Sequence, residues 1–398
     1  STKLYYDALR IESEIKEAAI HCYLPSNDFL LRLIKQSKKQ LKLGFYISST
    51  ASDQFLMYEP EVLKSFSSVA DTNQADFLGG TFSHSLVTLT NNKNELISQV
   101  RDHQSKTKFL FGVRPQVFVN SDLMYSDLIG KDIADAGYRA MITNGAPKTL
   151  EWRSPNYVYS NIYRPDLNVY FRNERISDSL AEQLMNLHSE KDIDTDEIFH
   201  LISDIPEDEP LLIIYLDYKV LGGLGMILKH QFMEELITRI QQSEKMQFIL
   251  PHQIADHYGP VAPITAMEPI CWVNGFSSNY YPGNELQVEA IKQIYLLQPL
   301  VENVDDLNLQ KDWQYLQTSD IIHLMDDQHP MYREANENRI YNTRYDAYAN
   351  FMNILDDFRL KLHKATGLKE KSLSGRPSRT GSSKGKRVTG TNKFHNKE

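Results

Sequence analysis

Leu211-Leu212-Ile213-Ile214-Tyr215-Leu216-Asp217 is the most hydrophobic run of the chain, and it ends in a carboxylate. Six apolar residues in a row, with no polar alternation, suit a strand buried on both faces. Shorter runs of the same kind lie at Leu43–Ser48, Asp76–Gly79, Val117–Val119, Ala140–Thr143, Leu167–Arg172 and Met246–Leu250. Between several of them the apolar period changes to that of a helix. Asn27–Leu41 follows Pro25-Ser26 and puts Phe29, Leu30, Leu33 and Ile34 on one face; Ser126–Gly137 and Gln231–Ser243 read similarly. Strands joined by helices predict a parallel sheet covered on both faces. About seven such units predict a closed or nearly closed α/β barrel, with a doubly wound open sheet as the alternative.

Beyond Ile270 the pattern turns helical. Glu285–Val301, Asp306–Thr318 and Tyr345–Leu362 carry apolar residues at helix spacing. The expected organisation is a barrel domain over 1–265, a helical region over 266–363 and a basic, disordered tail over 364–398. That tail holds ten lysines and arginines against two acids. The preceding residues then carry 33 basic and 50 acidic side chains, a net charge of −17, within a total of −9. A basic tail can dock to an anionic polymer or simply remain solvated.

With 41% hydrophobic and 24% charged residues in 398, the chain has globular composition, which excludes a collagen, a rod or a fully disordered protein. Two cysteines are too few for a disulfide framework and suit a reducing, cytoplasmic setting. No apolar stretch approaches the roughly 20 residues needed to span a membrane, and Ser1–Arg10 has no leader-like apolar segment. There is no glycine-rich phosphate loop and no paired-cysteine site. His252 and His257 are five apart, a poor spacing for a helical metal pair, so no metal or cofactor is expected.

Active sites of α/β barrels lie at the C-terminal ends of the strands. Asp122, after Val117–Val119, and Asp217, after Leu211–Leu216, stand where that rule points. Two such acids are the equipment of a retaining glycosidase, one as nucleophile and one as acid/base, about 5 Å apart. Aspartate after a strand is equally a helix cap.

Eight ordered segments decide between these expectations. They include Phe77-Leu78-Gly79-Gly80-Thr81-Phe82-Ser83-His84-Ser85-Leu86, Phe118-Val119-Asn120-Ser121-Asp122-Leu123-Met124-Tyr125, Trp152-Arg153-Ser154-Pro155-Asn156-Tyr157, Leu216-Asp217-Tyr218 and Trp313-Gln314-Tyr315-Leu316-Gln317-Thr318-Ser319-Asp320. From about Tyr5 to Phe358 the chain resembles glycoside hydrolase family 57, in its α-amylase-like members. The resemblance implies an incomplete seven-stranded parallel β/α barrel followed by helices, and a retaining mechanism on α-glucans. It makes Asp122 and Asp217 the nucleophile and acid/base positions. It places Trp152, Tyr157, Tyr218 and Trp272 in motifs that line the glucan cleft, where aromatic faces stack on sugar rings; core filling is the alternative for these rings, and His84 is expected either to contact sugar hydroxyls or to cap a loop.

The departures from the family concentrate at the chemistry. The family's nucleophile is a glutamate, and Asp122 is shorter by about 1.5 Å. After Asp217-Tyr218 the family has a polar stretch where this chain has Lys219, Gly223 and Leu224. If the strand continued to Lys219, its ammonium would lower the Asp217 pKa, the opposite of what a general acid needs. Gly80 stands where a glutamate is expected, and Trp272-Val273-Asn274 has an amide for an acid. The family's opening strand has no counterpart here, whether lost, removed or supplied by another chain, and its absence would leave an open barrel edge for a protein partner. The expectation is a degenerate family member that binds an α-glucan, a maltooligosaccharide or a protein. An active hydrolase or transferase using Asp122 and Asp217 is the alternative, and a scaffold docking through Lys364–Glu398 is the third reading.

Overall fold

A computed structural model describes residues 5–37, 40–273, 276–278, 283–326 and 340–367. The first strands are β1 (Leu43–Phe45) and β2 (Ala75–Phe77), paired in parallel. A single bridge from Gly79 to Phe118 connects them to β3 (Val117–Val119). Beyond it lie β4 (Ala140–Asn144), β5 (Val158–Asn161), β6 (Asn168–Arg172) and β7 (Pro263–Ile264), in the sheet order β3-β4-β6-β5-β7. A hairpin of β8 (Cys271–Val273) and β9 (Phe276–Ser278) completes the strands.

Side-chain alternation in β3, β4 and β6 explains why these strands read as continuous apolar runs. Val117, Val119, Ala140, Ile142 and Tyr170 face an inner core, while Phe118, Met141, Val169 and Phe171 face an outer one. Both faces are buried, as helix-covered parallel strands require. The outer core is shared with the C-terminal helices through Trp313, Phe351, Phe358 and Leu362. A second outer core holds Phe45 and Phe77 against the helices Leu24–Gln36, Pro60–Ala70 and Glu174–Met185.

Three expectations are corrected. Leu211–Leu216 is not a laddered strand: it touches β6 through one bridge, Arg172 to Ile213. Side chains occupy its backbone instead. Ser177 Oγ accepts from the Tyr215 N–H at 3.2 Å, and Arg172 Nε donates to the Tyr215 carbonyl at 2.9 Å. Met246–Leu250 also forms no ladder; Pro251 follows it and packs where a Gly44 Cβ would stand, 3.0 Å away. The sheet is therefore mixed and open among the described residues, since β5 runs antiparallel to β6. Asn161 Oδ1 accepts from the N–H groups of Tyr163 and Arg164 and so turns β5 back into β6.

The expected helices are present as Leu24–Gln36, Asp127–Asp135, Met226–Gln242, Glu285–Tyr295, Leu307–Leu316 and Arg344–Thr366. The last runs past residue 363; residues 368–398, most of the expected basic tail, lie outside the described residues, as does Asn274. No described helix is long and apolar enough to cross a membrane.

A buried polar hub ties the helix Lys93–Phe111 to the C-terminal helix Leu307–Leu316. Glu95, on the helix Lys93–Phe111, accepts at Oε1 from Gln99 Nε2 (3.0 Å), Gln317 Nε2 (2.8 Å) and Trp313 Nε1 (3.2 Å). Removing the acceptor strands the buried Trp313 Nε1–H and takes one of two acceptors from each glutamine amide. Glu95→Ala is expected to lose about 3 kcal/mol of unfolding free energy in urea denaturation; a loss under about 0.5 kcal/mol would remove the hub from the account.

Candidate active site

β2 and β3 each deliver a loop to the C-terminal end of the sheet. The loop after β2 carries His84 and the turn after β3 carries Asp122. Both residues, and Leu123, hold left-handed backbone, with φ of 51° at His84, 55° at Asp122 and 49° at Leu123. Such conformations cost energy in residues with a Cβ and persist where the surroundings over-determine them. A buried hydroxyl network does so here. Ser121 Oγ donates to the Ser85 carbonyl at 2.8 Å, Thr81 Oγ1 accepts from the Ser85 N–H at 2.9 Å, and Thr143 Oγ1 donates to the Leu123 carbonyl at 2.7 Å. Thr81, Ser85, Ser121 and Thr143 are fully buried.

The C-terminal region is stitched onto the same loop. Ser83 Oγ donates to the Gln314 carbonyl, the Ser319 N–H donates to the His84 carbonyl at 3.2 Å, and Ser85 bridges to Thr318. These contacts set the short helix Ser319–His323 over the site. His323 Nε2 stands 2.9 Å from Asp122 Oδ2, and His84 Nε2 stands 3.5 Å from Asp122 Oδ1. Burial alone would raise the Asp122 carboxyl, but His323 and His84 outweigh it and hold the group well below the usual carboxylate range. Burial likewise opposes charge on His323, and the Asp122 carboxylate overcomes it, so the imidazole stays raised. His323 escaped the sequence reading because it is an isolated histidine about 200 residues downstream; only its place three residues after Asp320, at the end of the Trp313–Asp320 segment, hinted at it.

Gly80 lies against Tyr46. A Cβ there would lie 2.3 Å from the Tyr46 ring, and the Tyr46 hydroxyl sits 3.2 Å from His84 Nδ1. Burial pushes the Tyr46 phenol far up, so it acts as a neutral hydrogen-bonding group.

Asp217 is exposed. Its Oδ1 accepts from the Lys219 N–H at 2.9 Å and caps the 3-10 turn Tyr218–Leu221. The extended run therefore stops at Asp217. The condition for an ammonium beside that carboxylate is not met: no Asp217–Lys219 ion pair occurs among the described residues. Tyr215 is the link between the two acids, its phenol pushed up by burial and by the carboxylates of both Asp217 and Asp122.

The aromatic positions divide. Trp152 is 84% exposed, with the Arg153 guanidinium 5.3 Å from its ring centre. The Tyr157 hydroxyl donates to Asp208 Oδ2 at 3.1 Å. Trp272 is half-buried, 4.7 Å from the Arg172 guanidinium and edge-on to Tyr215 at 5.9 Å. Tyr218 lies in the outer core instead, 5.9 Å from Tyr23 and 5.7 Å from Phe66, with its hydroxyl donating to Asn27. No group of three His, Cys, Asp or Glu side chains suited to a metal ion occurs among the described residues.

The model of glycosyl hydrolase family 57 matches residues 1–266. A curated protein of Methanocaldococcus jannaschii named "Putative alpha-amylase" is 26% identical over 382 residues, covering 89% of this chain and 78% of that one. Among solved structures, the GH57-type branching enzyme from Pyrococcus horikoshii superposes with a TM-score of 0.64 at 10% identity, over 89% of this chain and 90% of that one. The 4-alpha-glucanotransferase from Thermococcus litoralis gives 0.62 at 12% identity, over 91% of this chain. The present chain spans only 59% of that enzyme's length. At such identities the superpositions speak for a shared α/β barrel-like fold alone. With two thirds of its residues matched by the family model, the chain belongs to glycosyl hydrolase family 57.

Proposed function

We propose that this chain is a non-hydrolysing member of its family, an α-glucan-binding protein on an incomplete seven-stranded β/α barrel whose nucleophile position has been converted into a structural ion pair. The observation that carries the reading is the environment of Asp122. A retaining nucleophile needs one carboxylate oxygen free to approach the sugar, with the acid/base about 5 Å away. Both Asp122 oxygens instead stand within 3.5 Å of a histidine. The other candidate acid caps a turn, and a tyrosine ring fills the space beside Gly80. Two neighbours named for glucan chemistry, the branching enzyme and the 4-alpha-glucanotransferase, favour an α-glucan as ligand. The exposed Trp152, with Arg153 against it, offers an apolar face of the kind that stacks on sugar rings.

Incubation with maltooligosaccharides and a sensitive product assay tests the loss of hydrolysis. Product is expected to stay at the level of an Asp217→Asn control, and turnover that disappears in that control would overturn the reading. Calorimetry with the same sugars tests binding separately: Trp152→Ala is expected to weaken it about fivefold, roughly 1 kcal/mol.

The ion pair also has a pH signature. Asp122 is depressed in the fold, so its contribution is present above the ordinary carboxylate range near pH 4 and is lost as pH falls through its folded value. His323 is raised, so its contribution is complete below about pH 6.5 and is lost as pH rises through its folded value. The destabilisation caused by His323→Gln, on the order of 3 kcal/mol, should therefore be greatest between about pH 4 and 6.5 and shrink at alkaline pH. Thermal melts of both proteins across pH check this; a difference that grows with rising pH would contradict it.

A further inference from the structure

A separate site lies at the opposite end of the strands from Asp122. β2 and β3 meet only through the bridge between Gly79 and Phe118. Counting back in that register, Pro115 faces Asp76, and proline has no N–H to continue a ladder. The two sheets therefore part toward their N-terminal ends, and a cavity of 180 Å³ opens in the seam. Ala70, Val113 and Leu250 give it apolar walls. Three charged or titratable side chains line it: Asp76, His252 and Arg114.

Two of these satisfy each other. Asp76 binds His252 Nδ1 with both oxygens, at 2.8 and 2.9 Å, and accepts from the His252 backbone N–H at 2.8 Å. That leaves the ring's Nε2 without a partner among the described residues. Arg114, exposed at the rim, forms no ion pair among the described residues. The rim thus presents a guanidinium without an ion-pair partner, beside the apolar side chains of Ala70, Val113 and Leu250. An apolar cavity of about 150 Å³ is large enough for benzene, so this one has room for a ring with a small polar group.

We propose that the seam between β2 and β3 is a binding site for a small organic carboxylate of about benzoate size, its apolar body between Ala70, Val113 and Leu250 and its carboxylate on the Arg114 guanidinium. A guanidinium is well shaped for a carboxylate. The site stands independently of any glucan reading, since it shares no residue with the Asp122 cluster.

Ligand-observed NMR titration of the whole chain with benzoate tests the assignment, with benzyl alcohol as the uncharged counterpart. Saturable binding of benzoate is expected. Arg114→Gln, an exposed substitution that should leave the melting temperature unchanged, is expected to weaken it on the order of tenfold, and benzyl alcohol should bind similarly weakly. Val113→Phe, which fills the cavity, should abolish it. No saturable binding, equal binding of the alcohol, or unchanged affinity in Arg114→Gln with a native melt would each overturn the proposal.

Discussion

The position of one carboxylate organises the upper end of this molecule. Asp122 sits on a left-handed turn between two histidines that arrive from different parts of the chain. The half-buried carboxylate is held in its charged form by His323 and His84. The hydroxyls of Thr81, Ser121 and Thr143 hold the backbone that presents it. Each oxygen of the acid stands within 3.5 Å of an imidazole.

The C-terminal helices therefore do more than cover the sheet. Trp313 and Gln317 anchor on Glu95, and the Ser319 backbone anchors on the His84 loop. The same stitches that complete the outer core deliver His323 to Asp122.

Much of this was legible in the sequence, and the exceptions have physical causes. Val117–Val119 and Ala140–Thr143 read correctly because strands buried on both faces leave continuous apolar runs. Leu211–Leu216 carried the same signal yet forms no ladder, because Ser177 and Arg172 claim the backbone groups of Tyr215, and no pattern in the run itself reports that. The cap at Asp217 was one of the two readings its place after a strand allowed. The filling of the Gly80 space by Tyr46 and the pairing of Asp122 with His323 join residues 34 and 201 positions apart. Only the packed fold brings them together.

The central claim is that Asp122 is not available to attack a sugar. The most direct measurement is mechanism-based trapping: incubation with a fluorinated α-glucosyl fluoride, which accumulates the glycosyl-enzyme of a retaining glycosidase, followed by intact-mass and peptide analysis. No mass increase is expected at any time point. A glycosyl adduct mapped to Asp122 would contradict it.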